Sequence, residues 1–160
     1  MKELSILFVC MGNICRSPSA EGVVRELLNQ SPSKLAIHLD SAGTHDYHIG
    51  EPPDPRSIEA AARRGYHIAD LRARQVEAQD FQRFDLILAM DEANLSLLKT
   101  QCVPELQTKL KLMMAYSKKY AVNEVPDPYY GAGQGFDLVL DYLEDAGAGL
   151  LAELHTQYQV

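Results

Sequence analysis

Five residues lie between Cys10 and Arg16, with Ser17 and Pro18 directly after. An apolar run ends at Cys10, and a helical pattern begins just past Arg16. A tight loop between a strand and a helix turns successive N–H groups into one concavity, and the helix N-terminus adds positive potential there. Arg16 brings a planar fork that fits two phosphate oxygens. The expected anion cradle is therefore Met11, Gly12, Asn13, Ile14, Cys15, Arg16 and Ser17, with the Cys10 sulfur beneath it. Free thiols titrate near ~8.5, and helix N-termini or cationic neighbours lower that to roughly 3.5–7.5. The spacing thus predicts a thiolate aimed at phosphorus, a phosphocysteine intermediate and its hydrolysis by water. The departing oxygen needs a proton. Asp127, stiffened by Pro126 and Pro128, is the candidate acid, and help of that kind is worth on the order of 10²–10⁴ in rate. Tyr129 and Tyr130 follow it and can line an aromatic slot.

The elements that must position these groups follow from the hydrophobic pattern. Leu4–Val9 is nearly continuous in apolar residues, as expected of a parallel strand buried on both faces. Ala20, Val23, Val24, Leu27 and Leu28 mark one face of a helix. Ser17 is its expected N-cap, with Pro18 at the first helical position, and Ser31-Pro32 its end. Residues 37–42 read as a second strand and residues 44–53 as a polar loop. Asp54-Pro55 starts a helix that Gly65 stops. Residues 84–90 form a third strand, Asp91 caps the helix carrying Leu95 and Leu98, and residues 110–115 form a fourth strand. Residues 122–135 are a loop. The closing helix carries Phe136, Val139, Leu140, Leu143, Leu150 and Leu154 on one face, with Gly147 and Gly149 weakening its middle. Strands alternating with helices predict an α/β fold: a four-stranded parallel sheet, doubly wound and flavodoxin-like, with helices on both faces. Ligands in such folds sit at the carboxyl ends of the strands, where Cys10 lies.

Composition bounds the rest. The 160 residues suffice for one domain, expected to span 1–160, with a true core. A net charge of −7 argues against broad binding to nucleic acid or an anionic membrane. The N-terminal apolar run is too short and leads to no cleavage site of a signal peptide. Three cysteines without framework spacing suit a reducing cytosol, so the expected location is cytoplasmic. No metal-ligand spacing is readable, and no cofactor is expected.

The segment Cys10-Met11-Gly12-Asn13-Ile14-Cys15-Arg16-Ser17-Pro18 with Ala20-Glu21 resembles the signature of the low-molecular-weight protein tyrosine phosphatases. Ser41-Ala42-Gly43-Thr44, Pro53-Asp54-Pro55-Arg56, Ala73-Arg74-Gln75, Met90-Asp91-Glu92 and Asp127-Pro128-Tyr129-Tyr130 extend the resemblance over nearly the whole chain. It implies Cys10 as nucleophile, Arg16 as transition-state clamp and Asp127 as acid and then base. Ser17 would ease departure of the sulfur, and Asn13 would hold the loop. Tyr47, Tyr129 and Tyr130 would wall a pocket whose depth favours aryl phosphates. The implied substrate is a phosphotyrosine-containing protein, without metal, met by a monomer or weak homodimer. Two positions depart from the family pattern. Leu71 stands where many members carry a His that supports Asn13, and Tyr47 where some carry Trp.

Two other chemistries compete. A thiol-dependent arsenate reductase of the same fold needs a relay of cysteines, and only Cys102 lies outside the loop. A phosphocysteine carrier or phosphate-binding module would need its intermediate to persist, whereas Asp127 and Ser17 point to turnover. Cys15 reads as structural, with a reversible disulfide to Cys10 under peroxide as a hypothesis. Cys102 reads as an inert thiol, and His45 and His48 as solvated loop residues.

Overall fold

The N-terminal apolar run becomes β1 (Lys2–Cys10), an inner strand of the sheet in the computed structural model, which describes residues 2–31, 33–129 and 134–159. Because strand side chains alternate between faces, β1 divides the core. Leu4, Ile6, Phe8 and Cys10 join one hydrophobic cluster, and Leu7 and Val9 another. The first cluster is covered by α1 (Arg16–Gln30), α2 (Pro55–Arg63) and α5 (Gln134–Gln157). The second lies under α3 (Asp80–Arg83) and α4 (Glu92–Gln101).

The strand order is β2-β1-β3-β4, all parallel. β2 (Leu35–Gly43) pairs with β1 along its full length, so it is longer than the sequence pattern suggests. β3 (Leu86–Ala89) is shorter than predicted, with Phe84 buried beneath its start. β4 covers only Leu110–Leu112. The expected continuation to Ala115 is instead a 3-10 helix, Met113–Tyr116, because Met113, Met114 and Tyr116 turn into the core beside α5. This order puts the change of winding direction between β1 and β3, where open α/β sheets hold their ligands.

Asp54 and Asp91 cap α2 and α4 through the Arg56 and Asn94 amides, as predicted. Gly65 follows α2 in the left-handed region, φ +87°. The expected Ser17 cap is a correction. Helix α1 opens at Arg16 with no side-chain cap. Pro18 is tolerated there because first-turn amides have no helical partner, and the Ser17 hydroxyl is engaged elsewhere. Gly147 and Gly149 do not break α5. A Cβ on Gly149 would lie 1.9 Å from the Tyr116 carbonyl oxygen, so a side chain is excluded by close packing. Among the described residues no helix is long and apolar enough to cross a membrane.

Candidate active site

The loop leaves β1 at Cys10 and enters α1 at Arg16, pressed against the end of β2. A Cβ on Gly43 would stand 2.7 Å from the Met11 carbonyl oxygen, so only glycine admits the loop this closely. The carbonyls of Cys10, Met11 and Ile14 accept from the amides of Thr44, His45 and Asp54 at 2.8–3.0 Å. Asn13 takes the left-handed conformation, φ +58°, which asparagine tolerates better than most residues.

Its side chain braces the loop. Nδ2 donates to the Ser17 hydroxyl (2.7 Å) and the Ser41 hydroxyl (3.0 Å), and Oδ1 accepts from the Arg74 amide (3.0 Å). The support left open by Leu71 thus comes from Arg74. Its backbone carbonyl accepts from Gly43 N, and its guanidinium bridges Asp40 to the buried Asp80 at 2.9–3.2 Å. Leu71 itself packs against the core.

The Cys10 sulfur is buried, with the Asn13 amide donating to it at 3.2 Å and the Ser17 hydroxyl 3.1 Å away. Arg16 is 1% exposed. Its Nη1 donates to Asp91 Oδ2 (2.5 Å) and the Val125 carbonyl (3.1 Å), and Nη2 lies 3.5 Å from Asp127 Oδ2. Burial works against its charge, but Cys10, Asp91 and Asp127 outweigh that and raise its pKa above the ordinary value. The fork is therefore held charged and aimed before any anion arrives. The Asp127 side chain is 28% exposed, and its Oδ1 accepts from Tyr129 N at 3.0 Å. Its segment is pinned to the sheet where Val125 N donates to the Met90 carbonyl (2.8 Å). The sequence predicts only a capping role for Asp91. One oxygen does cap α4, and the other holds Arg16. The available signal was its place just beyond β3, the strand beside β1.

Cys15 is buried at the end of the loop and also lines the pocket. Burial pushes its thiol up to about 12, against a Ser57 hydrogen bond and with a contribution from the Asp54 charge. It and Cys10 are both free thiols. Cys102 lies on the other face of the sheet, where its thiol donates to the Val103 carbonyl.

The loop forms the floor of a pocket whose mouth carries Tyr47, His48, Asp127 and Tyr129. Tyr47 is 64% exposed and stacks on His45, centroids 5.0 Å apart. Arg56 lies 5.6 Å over the Tyr129 ring, donates to the Tyr129 carbonyl (3.1 Å) and is itself paired with Asp54. Tyr130, expected in the same wall, falls outside the described residues. The reading of His45 and His48 as solvated is corrected: His45 is half-buried against Tyr47, and His48 lines the pocket. Among the described residues no group of three or more His, Cys, Asp and Glu is gathered to hold a metal ion.

Comparison with known proteins agrees with this arrangement. Residues 5–160 match the model of the low molecular weight phosphotyrosine protein phosphatase family. A low molecular weight protein-tyrosine-phosphatase of Streptomyces coelicolor is 40% identical over 157 residues, 96% of this chain and 95% of the relative. A crystal structure of a protein tyrosine phosphatase from Entamoeba histolytica, with Hepes in its active site, superposes with a TM-score of 0.91 at 39% identity. That match covers 97% of this chain and 99% of the other. YfkJ from Bacillus subtilis also reaches 0.91, at 36% identity over 98% of each chain. With the cradle at the carboxyl end of β1, as predicted, and similarity running over almost its full length, the chain belongs to the low molecular weight phosphotyrosine protein phosphatases, a family of hydrolases.

Proposed function

We propose that the enzyme hydrolyses phosphotyrosine in proteins by two in-line displacements at the Cys10 loop. The observation that carries this reading is convergence: Cys10, Arg16 and Asp127 reach one pocket from three separate elements. In the first step the Cys10 thiolate attacks phosphorus. The sulfur–phosphorus bond forms, the phosphorus–phenol oxygen bond breaks, and the proton of Asp127 passes to the leaving phenol oxygen. Arg16 and the main-chain amides of Met11, Gly12, Asn13, Ile14 and Cys15 hold the three peripheral oxygens, whose charge rises in the transition state. In the second step the Asp127 carboxylate takes a proton from water. The water oxygen bonds to phosphorus as the sulfur–phosphorus bond breaks, and the sulfur leaves as thiolate toward the Ser17 hydroxyl 3.1 Å away.

The pocket supports an aryl phosphate. Tyr47 and Tyr129 stand above the cradle, so a phosphate on a short alkyl side chain would not reach the sulfur past them. The arsenate reductase reading is disfavoured because Cys102 sits on the opposite face of the sheet from Cys10. The carrier reading is disfavoured by the acid and the hydroxyl beside the sulfur, which promote release. Three free thiols fit a cytoplasmic enzyme. The proposed unit is the single domain 1–160, acting as a monomer or weak homodimer on phosphotyrosine-containing proteins, without metal or other cofactor.

The test is phosphate release from matched phosphotyrosine and phosphoserine peptides, with Cys10→Ser as control. Release from phosphotyrosine alone, competitively inhibited by vanadate and indifferent to EDTA, is the expected result. Stoichiometric labelling of the protein without release would favour the carrier, and thioredoxin-dependent reduction of arsenate would favour the reductase.

A further inference from the structure

We infer that the cavity at the amino-terminal edge of the sheet is a second small-molecule site, built for a primary ammonium group carried on a short apolar body. The inference is independent of the chemistry at Cys10.

The cavity lies at the opposite end of the strands from the Cys10 loop. Strand β1 contributes Leu4 and Ile6 to it, β3 begins at its rim, and the last turns of α5 close it with Glu153 and Leu154. Its volume is about 180 Å³, and a cavity of about 150 Å³ already accepts benzene. Leu4, Ile6 and Leu154 are buried in the core beside α5, so an apolar ligand body has a wall to lie on.

Tyr116 makes the inner end of this cavity polar. The residue is 6% exposed, and its hydroxyl makes no hydrogen bond to any described residue. Its carbonyl lies at Gly149, and its hydroxyl feels the charge of Glu153 one turn further along α5. Burial, and then that charge, push the phenol up to about 12, so it stays protonated. A buried hydroxyl without a partner costs free energy, and one that lines a cavity can recover it from a ligand.

The charges at the rim select the ligand. Glu153 and Asp85 stand against the single Lys111, and among the described residues none of the three is in an ion pair. Asp85 is fixed there by β1: its amide donates to the Ser5 carbonyl at 2.9 Å, and its Oδ2 accepts from Ser5 N at 2.8 Å. Beside them the Tyr158 ring already receives the Lys2 ammonium, 5.5 Å from its centroid. Two carboxylates, a neutral phenol oxygen and an aromatic face all favour a charged N–H donor. An anion would meet two like charges and one lysine.

Amide NMR titrations of the full chain test this, with inorganic phosphate present to fill the Cys10 loop. The probes are benzylamine, benzyl alcohol and benzoate, which share one ring and differ in charge. A ligand of benzylamine's size is expected to bind with a Kd of about 1 mM, its shifts centred on Ser5, Leu86, Glu153 and Tyr158. Benzyl alcohol should bind at least fivefold more weakly, and benzoate should leave those amides unmoved. Glu153→Gln, at an exposed position, should weaken benzylamine at least fivefold. Tyr116→Phe, which keeps the ring and removes only the hydroxyl, should weaken it at least threefold. Equal affinity for amine and alcohol, benzoate shifts at the same amides, shifts centred elsewhere, or undiminished binding in either variant overturns the inference. So does a titration without shifts at tens of millimolar benzylamine, which would mean that the cavity takes water alone.

Discussion

The floor and the mouth of the pocket are built on opposite principles. At the floor Cys10, Asn13, Arg16 and Ser17 are buried, and their polar groups are tied to one another and to partners from other parts of the chain. At the mouth Tyr47 and Tyr129 leave large aromatic surfaces to solvent. A buried network with its partners satisfied holds atoms to one geometry. Exposed side chains on loops can settle against differently shaped partners. The contrast teaches that the reaction is fixed below, and the choice of who reacts is left to the rim.

Substitutions can break that division. The largest effect is expected of Cys10→Ser, which should lower phosphate release by at least about three orders of magnitude while an aryl phosphate still binds, as equilibrium dialysis would show. Turnover near the wild-type rate would remove the nucleophile from the floor. Next comes Asp127→Asn. Phenyl phosphate hydrolysis should fall by roughly 10²–10⁴ and p-nitrophenyl phosphate hydrolysis by much less, because nitrophenolate leaves without a proton. Equal losses on the two esters would cancel the acid assignment.

Asn13→Ala tests the bracing. It strips two hydroxyls and an amide of their partner and puts alanine at φ +58°. The expected cost is about 2–4 kcal/mol in urea unfolding. A fall in kcat accompanies it that Asn13→Gly, relieved of the backbone strain, only partly restores. A rim substitution should behave differently. Tyr47→Ala is expected to raise KM for aryl phosphates by only a few-fold with kcat kept, and a collapse of kcat would mean that mouth and floor are not separate.

The smallest effect concerns Cys15. Its thiol is held neutral up to about 12 in the folded protein, above the ordinary range near ~8.5 for an unfolded cysteine. The folded pKa is the higher one, so this stabilising contribution is complete below about 8.5. It is lost as pH climbs toward about 12. Tyr116, also pushed up to about 12 by burial, adds to the same decline. Cys15→Ala should therefore flatten the alkaline fall in thermal stability without altering turnover much, and an unchanged slope would show that Cys15 is not a source of it.

The two regions also differ in how far the sequence discloses them. The floor is local: Cys10, Asn13, Arg16 and Ser17 fall within eight consecutive residues, and strand and helix patterns on either side dictate a tight turn. Asp127 is distant, yet its flanking prolines and tyrosines single it out. What escapes is whatever depends on packing between remote segments. Asp91 shows its cap in the sequence, but its grip on Arg16 exists only because β3 lies beside β1. Arg74 holds Asn13 through a backbone amide, which has no residue signature. His48 sits in a polar Gly- and Pro-containing loop, where composition suggests solvent, and only the turn at Gly50 folds it onto the cradle. Helix α3 is four residues long, too short to register a period.

The alternation of β1 has a consequence for how this gene can vary in length. Cys10 faces the α1 and α5 side only because its offset along the strand from Ile6 and Leu4 is even. Gaining or losing one codon inside the strand would swing the sulfur half a turn onto the α3 and α4 side, and would turn Leu7 and Val9 against the wrong helices. The chain's catalytic phase is thus set by parity, and tolerated insertions must fall outside residues 4–10.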